Sequence, residues 1–167
     1  MANIDSFQHY AADILASLYE NFPLPHRLSS DALAESAMER QPELGPIRIP
    51  DPTKAAVRND PDATCESPAF IQQRAIARHT ILWLFDCGYI RSDETIDRQQ
   101  SKDHTFVLSP RGFEALAIVP LENKKSYGDQ LREVAKSGAG EAGKAAISEI
   151  IGGVIGAAFR ASGLGAP

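Results

Sequence analysis

Apolar residues recur at three- and four-residue spacing from the start of the chain. Ile4, Phe7, Ala11, Ile14 and Leu18, with Leu15 beside them, form one stripe of an amphipathic helix that Asn3 or Asp5 can cap. The helix should stop near Phe22, because Pro23 and Pro25 remove donors and bias the preceding residues toward extended backbone. A second, short helix is expected from Ser30, as its cap, through Leu33, Ala34, Ala37 and Met38. Six of the eleven prolines then fall between Arg40 and Pro68, which excludes a long regular element. A surface loop is expected there, with one short helix at Asp51-Pro52 and the residues up to Val57.

Periodicity returns in a long helix over about residues 67 to 87 whose halves differ. Gln72, Gln73, Arg74, Arg78 and His79 populate the first half, whereas Ile81, Leu82, Trp83, Leu84 and Phe85 surround the second with bulk. Such a turn is expected to be buried on all sides, leaving the polar half to solvent or a partner. Gly88 suits the helix end. Tyr89-Ile90-Arg91 reads as a strand, residues 92 to 103 as a polar tip, and His104-Thr105-Phe106-Val107-Leu108 as a second strand with Phe106 and Leu108 on one face. Ser109-Pro110 then caps a helix through Arg111-Gly112-Phe113-Glu114-Ala115-Leu116.

The stretch Ile81-Leu82-Trp83-Leu84-Phe85-Asp86-Cys87-Gly88-Tyr89-Ile90, a polar tip, and Phe106-Val107-Leu108-Ser109-Pro110-Arg111-Gly112-Phe113-Glu114-Ala115-Leu116 resembles the winged-helix superfamily. Members show a leucine-rich helix end, a GYI-like strand and an LTPxGxxxL-like segment closing the wing. The resemblance covers residues 67 to 118. It implies a mainly α protein with a small two-stranded antiparallel hairpin, a winged-helix core and a C-terminal amphipathic helix. One departure is the stretch of about 28 residues where the superfamily has a short turn between its second and third helices. The expected organisation is a winged-helix domain over 1–120, with a proline-rich insertion at 39–67, and a glycine-rich helical extension over 121–167.

For a DNA reader, Gln72, Gln73, Arg74, Arg78 and His79 would face the major groove, and Arg91, Arg98 and Lys102 of the wing would meet phosphates. Charge tempers this. The chain carries 17 basic and 22 acidic residues, net −5, so a uniformly basic coat is excluded. Asp93, Glu94, Asp97 and Asp103 leave the wing tip acidic even with Arg98 and Lys102 counted.

In the tail, Gly138-Ala139-Gly140-Glu141-Ala142-Gly143 matches GxGxxG by spacing, but it follows helical sequence where a dinucleotide site needs a strand. It reads as a joint. Beyond it Ile147, Ile150, Ile151, Val154 and Ala158 share one helical face, which either docks on its own domain or is a candidate surface for self-association or a partner. Gly152 and Gly156 form a small-xxx-small pair that permits close helix approach. The apolar run over 150–159 spans about 15 Å as a helix, half of a ~30 Å hydrocarbon core, so a lone membrane span is not expected.

His9, His26, His79 and His104 are scattered, and no nucleophile elbow, Walker loop or metal-ligand spacing occurs. Cys65 and Cys87 form no CxxC, so neither disulfide framework nor zinc site is indicated. No catalytic residue, metal or cofactor is expected. The N-terminal MANIDSFQHY lacks the pattern of a signal peptide, which makes a cytoplasmic location the expectation. The function expected is a non-enzymatic, dimeric, DNA-binding regulator, with double-stranded DNA and a second copy as partners. The alternative is a protein-interaction or effector module whose C-terminal helix drives oligomerisation or membrane association.

Overall fold

The computed structural model describes residues 3–50, 64–98, 103–120, 124–137 and 141–161, with the backbone alone for 135–137, 141–144 and 157–161. Among these the protein is mainly helical with small antiparallel sheets. Helix α1 (Asn3–Asn21) follows the predicted stripe, burying Ile14, Leu15 and Leu18. It ends where expected, with Asn21 Nδ2 donating to the Ser17 carbonyl at 2.8 Å.

After the prolines comes an element the pattern did not predict. Strand β1 (His26–Leu28) lies antiparallel to β5 (His104–Leu108), which also pairs with β4 (Ile90–Arg91). The expected two-stranded hairpin is thus a three-stranded sheet in the order β1-β5-β4, registered by Leu28 opposite His104 and Arg91 opposite Val107. Three residues are too few to show a period of two, so β1 left no signature. It also moves the next cap. Because the strand holds Ser29 extended, Ser29 rather than Ser30 accepts from the Ala32 amide (3.3 Å) and opens helix α2 (Ser30–Arg40).

The insertion is not simply a loop. A 3-10 turn (Pro42–Leu44) leads to β2 (Arg48–Pro50), which pairs antiparallel with β3 (Thr64–Glu66) in a separate ribbon. The Ser67 amide bonds to the Ile47 carbonyl at 2.8 Å, and Leu44, Ile47 and Ala69 surround a small second core of Ala34, Met38 and Phe70. The ribbon is thereby fixed to the end of α2 and to the start of the helix that follows, α3 (Pro68–Asp86). The helix expected at 51–57 lies outside the described residues.

Helix α3 (Pro68–Asp86) has Pro68 in its first turn, and Ser67 accepts from the Phe70 amide at 3.1 Å. Gly88, at φ +72°, turns the chain out of it into β4. The bulky turn at 81–85 is covered less completely than expected. Ile81 and Leu84 are buried, while Leu82, Trp83 and Phe85 are half-buried. Trp83 meets Phe7 edge-on at 5.2 Å and stacks on Tyr89 at 6.1 Å; Phe85 meets Phe106 at 6.1 Å. Helix α1, the sheet and the last described helix (Glu141–Ala161) cover the turn without closing over every side.

Helix α4 (Pro110–Ala117) starts at the cap Ser109, whose Oγ accepts from the Gly112 amide at 3.0 Å. Helices α5 (Tyr127–Ser137) and α6 (Glu141–Ala161) then return across α1. Leu131, Ile147, Ile150, Ile151 and Val154 join Tyr10, Ile14, Leu15, Leu18, Leu84 and Phe106 in one core. Among the described residues, α5 and α6 thus pack into the same core as α1, α3 and the sheet.

A buried polar link fixes α3 against α1. The Tyr10 hydroxyl donates to Gln73 Oε1 at 2.9 Å, and burial pushes the phenol's pKa up, so it remains a donor at physiological pH. Beside it Arg40 forks onto both carboxylate oxygens of Asp13, tying α2 to α1. Tyr10→Phe strands the Gln73 amide oxygen. The expected loss is about 1–2 kcal/mol, a melting drop of roughly 2–8 °C for a chain of this size, read by thermal denaturation.

Candidate nucleic-acid interface

The sequence nominated the first half of α3 and the wing. The outward side of α3 carries Ile71, Gln72, Ala75 and His79, all exposed. Gln72 Nε2 donates to Asn3 Oδ1 at 3.3 Å, which places the start of α1 beside this face. Gln73 does not belong to it. Its side chain turns inward to Tyr10, because the seam with α1 occupies that side of the helix.

Arg74 is held by the protein's own carboxylates. Its two terminal nitrogens reach Glu66 Oε1 and Oε2 at 2.8 Å each, one of them also reaches Asp31 at 3.4 Å, and the guanidinium lies 5.4 Å from the Phe70 ring. The hydrogen bonds it donates to Glu66 raise its pKa further, despite some loss of hydration. This fork is the geometry that would grip a phosphate, with a carboxylate in the phosphate's place. Asp31 sits in the first turn of α2 and Glu66 immediately precedes the cap of α3, so both acids stand at helix starts.

Arg78 and Arg98 are likewise engaged. Arg78 donates to the Arg98 carbonyl, and the Arg98 guanidinium pairs with Asp86. Arg91 is exposed on β4, and Lys102 lies outside the described residues. At the wing, His104 Nδ1 lies 3.2 Å from Glu94 Oε2; hydrogen bonds from His104 and Thr105 hold the Glu94 carboxyl below its ordinary range. Arg27 of β1 pairs with Asp103 at 3.3 Å. Gln72, Arg74, Arg78 and His79 thus lie along α3, with Asp31 and Glu66 on Arg74 near its start and the Arg98–Asp86 pair at its end. No protein-family model, curated protein or solved structure matches the chain.

The second nominated surface is accounted for inside the molecule. Ile147, Ile150, Ile151 and Val154 face the core, so the stripe read as a surface for self-association or a partner docks on its own domain. The Ala158 side chain lies outside the described residues. Among the described residues, a Cβ at Gly152 or Gly156 would meet no heavy atom within 4 Å. At Gly153, between them, a side chain would run into the Tyr127 ring. No helix among the described residues is long and apolar enough to cross a membrane.

Sequence reasoning missed Glu66 and Asp31. Glu66 precedes Arg74 by eight residues across a helix cap, and Asp31 is 43 positions away, so neither falls at the spacing by which helical ion pairs announce themselves. Among the described residues no three His, Cys, Asp or Glu side chains converge to hold a metal. An open cleft of about 380 Å³ beside α5 and α6 is lined by Lys124, Lys125, Gln130, Val134 and Ile150, and Lys125 there is already paired with Glu133.

Proposed function

We propose that the protein is a non-enzymatic DNA-binding regulator of the winged-helix type. The observation carrying this reading is the order α1-β1-α2-α3-β4-β5, interrupted between α2 and α3 by the β2–β3 ribbon, with α3 packed on α2, Gln72 and His79 exposed on its outer side and the β4–β5 pair following it. A winged helix uses that order to present its third helix to a groove and its hairpin to the backbone. Gln72 and His79 on α3, with Arg78 beside them and Arg91 on β4, supply the base and phosphate contacts.

Arg74 enters this scheme as a group in reserve. Among the described residues few cations stand unengaged, so on this reading non-specific affinity is low and specific binding depends on the α3 face. Retention of genomic fragments by the purified full-length chain tests this. Selective retention at about 50 mM salt is expected, weakening with a log–log slope of about −2 to −4 as salt rises, the mark of a handful of phosphate contacts. Glu66→Gln releases Arg74, and the expected result is tighter binding with a slope steeper by about one.

One observation favours a second reading, a protein-interaction module. The outward stripe of α3 is uncharged and includes an exposed isoleucine, Ile71. Absence of DNA retention at low salt by both the native chain and Glu66→Gln selects that reading.

A further inference from the structure

The first turns of α3 carry a combination of side chains that the ion pairs leave untouched. Ile71, Gln72 and Ala75 are exposed on one side of the helix, Ile71 to 47%, and Ala75 stands one turn beyond Ile71 with Gln72 beside them. The Gln72 amide is already half committed. Its nitrogen gives one of two hydrogens to Asn3 Oδ1 at 3.3 Å, so one hydrogen and the acceptor oxygen Oε1 remain.

One donor beside one acceptor matches a single base in the major groove. Adenine offers an acceptor at N7 next to a donor at N6, whereas guanine offers two acceptors, N7 and O6, for the one hydrogen that Gln72 has left. Guanine is met by a fork of two donors, and the nearest arginine on α3, Arg74, has its fork closed on Glu66. Arg78, one turn farther, donates to the Arg98 carbonyl. His79 lies about 10 Å beyond Gln72 along the axis, some three base pairs away, and does not bear on the same pair. The apolar neighbours agree with adenine's partner. Thymine alone carries a methyl group in this groove, and small apolar side chains pack on it.

On the DNA-binding reading above, we propose that the start of α3 recognises A·T base pairs: Gln72 takes adenine through N7 and N6, and Ile71 with Ala75 packs on thymine methyl groups beside it. Asn3, in the first turn of α1, keeps the Gln72 amide turned for adenine, because flipping it would set Oε1 against Oδ1.

Selection of binding sites from a random duplex pool by the purified full-length chain at about 50 mM salt tests the assignment. The selected site is then remade with 7-deazaadenine for adenine, which removes N7, or with uracil for thymine, which removes the methyl group. Selected sites are expected to share adjacent A·T pairs. On the native chain, 7-deazaadenine there is expected to weaken binding about fivefold and uracil about threefold, in line with half of a bidentate pair and one buried methyl-sized group. Gln72→Ala is expected to lose the response to 7-deazaadenine, and Ile71→Ala the response to uracil. Both positions are exposed, so the variants are expected to melt within about 1–2 °C of the native chain.

Selected sites that hold a G·C pair where Gln72→Ala relaxes the choice overturn the proposal, as does a native chain indifferent to both modified bases. Either result leaves DNA binding itself standing. A chain that retains no duplex overturns the proposal together with the reading on which it rests. A variant that loses its fold passes the decision to the modified bases on the native chain.

Discussion

Ending the chain at residue 140 is expected to abolish cooperative folding. Helix α6 delivers Ile147, Ile150, Ile151 and Val154 to the core, each no more than 5% exposed. At about 1.5–3 kcal/mol per buried aliphatic side chain, their removal withdraws roughly 6–12 kcal/mol as an upper bound, comparable to the whole stability of an ordinary domain. The loss is compounded on the other side of the seam, where Leu15 and Trp83, with Tyr89, would face water. Circular dichroism against temperature reads the outcome. A truncated chain that still melts in one sharp transition near the native midpoint would show α6 to be an appendage. Ile151→Ala is the graded version, costing about 2–5 kcal/mol with the chain intact.

Gly112→Ala is expected to be the most damaging single-atom addition outside that seam. The first turn of α4 lies directly on the backbone that leaves α3. A Cβ at Gly112 would overlap the Tyr89 carbonyl oxygen while standing 3.0 Å from its carbon and 3.3 Å from Leu108. Backbone cannot swing aside as a side-chain tip can, and the same carbonyl already accepts the Ser109 amide at 3.0 Å. Relief therefore means lifting α4 off the sheet and breaking the cap. A loss of about 3 kcal/mol or more is expected, a fall of roughly 6–12 °C in melting temperature. Gly152→Ala is the control, since open space surrounds that position on α6, and the same change there should be neutral or stabilising by up to about 1 kcal/mol. Equal losses at the two sites would mean that helix propensity, not the Tyr89 contact, governs Gly112.

That glycine also shows how much of the fold the sequence carried. The segment Ser109-Pro110-Arg111-Gly112 declared a cap, a first-turn proline and a small residue, all local signals, and each has its expected place. The stripe of α1 and the polar-then-apolar halves of α3 were legible for the same reason, since periodicity within one helix needs no knowledge of its neighbours. What the pattern withheld was partnership. Whether an apolar stripe meets its own domain or another molecule is not encoded in its spacing, so the face of α6 read equally well as an interface. Gln73 looked like its neighbour Gln72 until Tyr10, 63 positions away, claimed it. Arg74 looked like a free cation because its carboxylates come from β3 and α2. Strands β1, β2 and β3, three residues each, lie below the length at which alternation can be seen.

The ribbon has a consequence for how the chain tolerates change. Pro50 stands opposite Thr64 and Arg48 opposite Glu66, so the carboxylate that grips Arg74 is placed by the pairing of two three-residue strands. A substitution that unpairs them would loosen Arg74 without touching the helix that carries it.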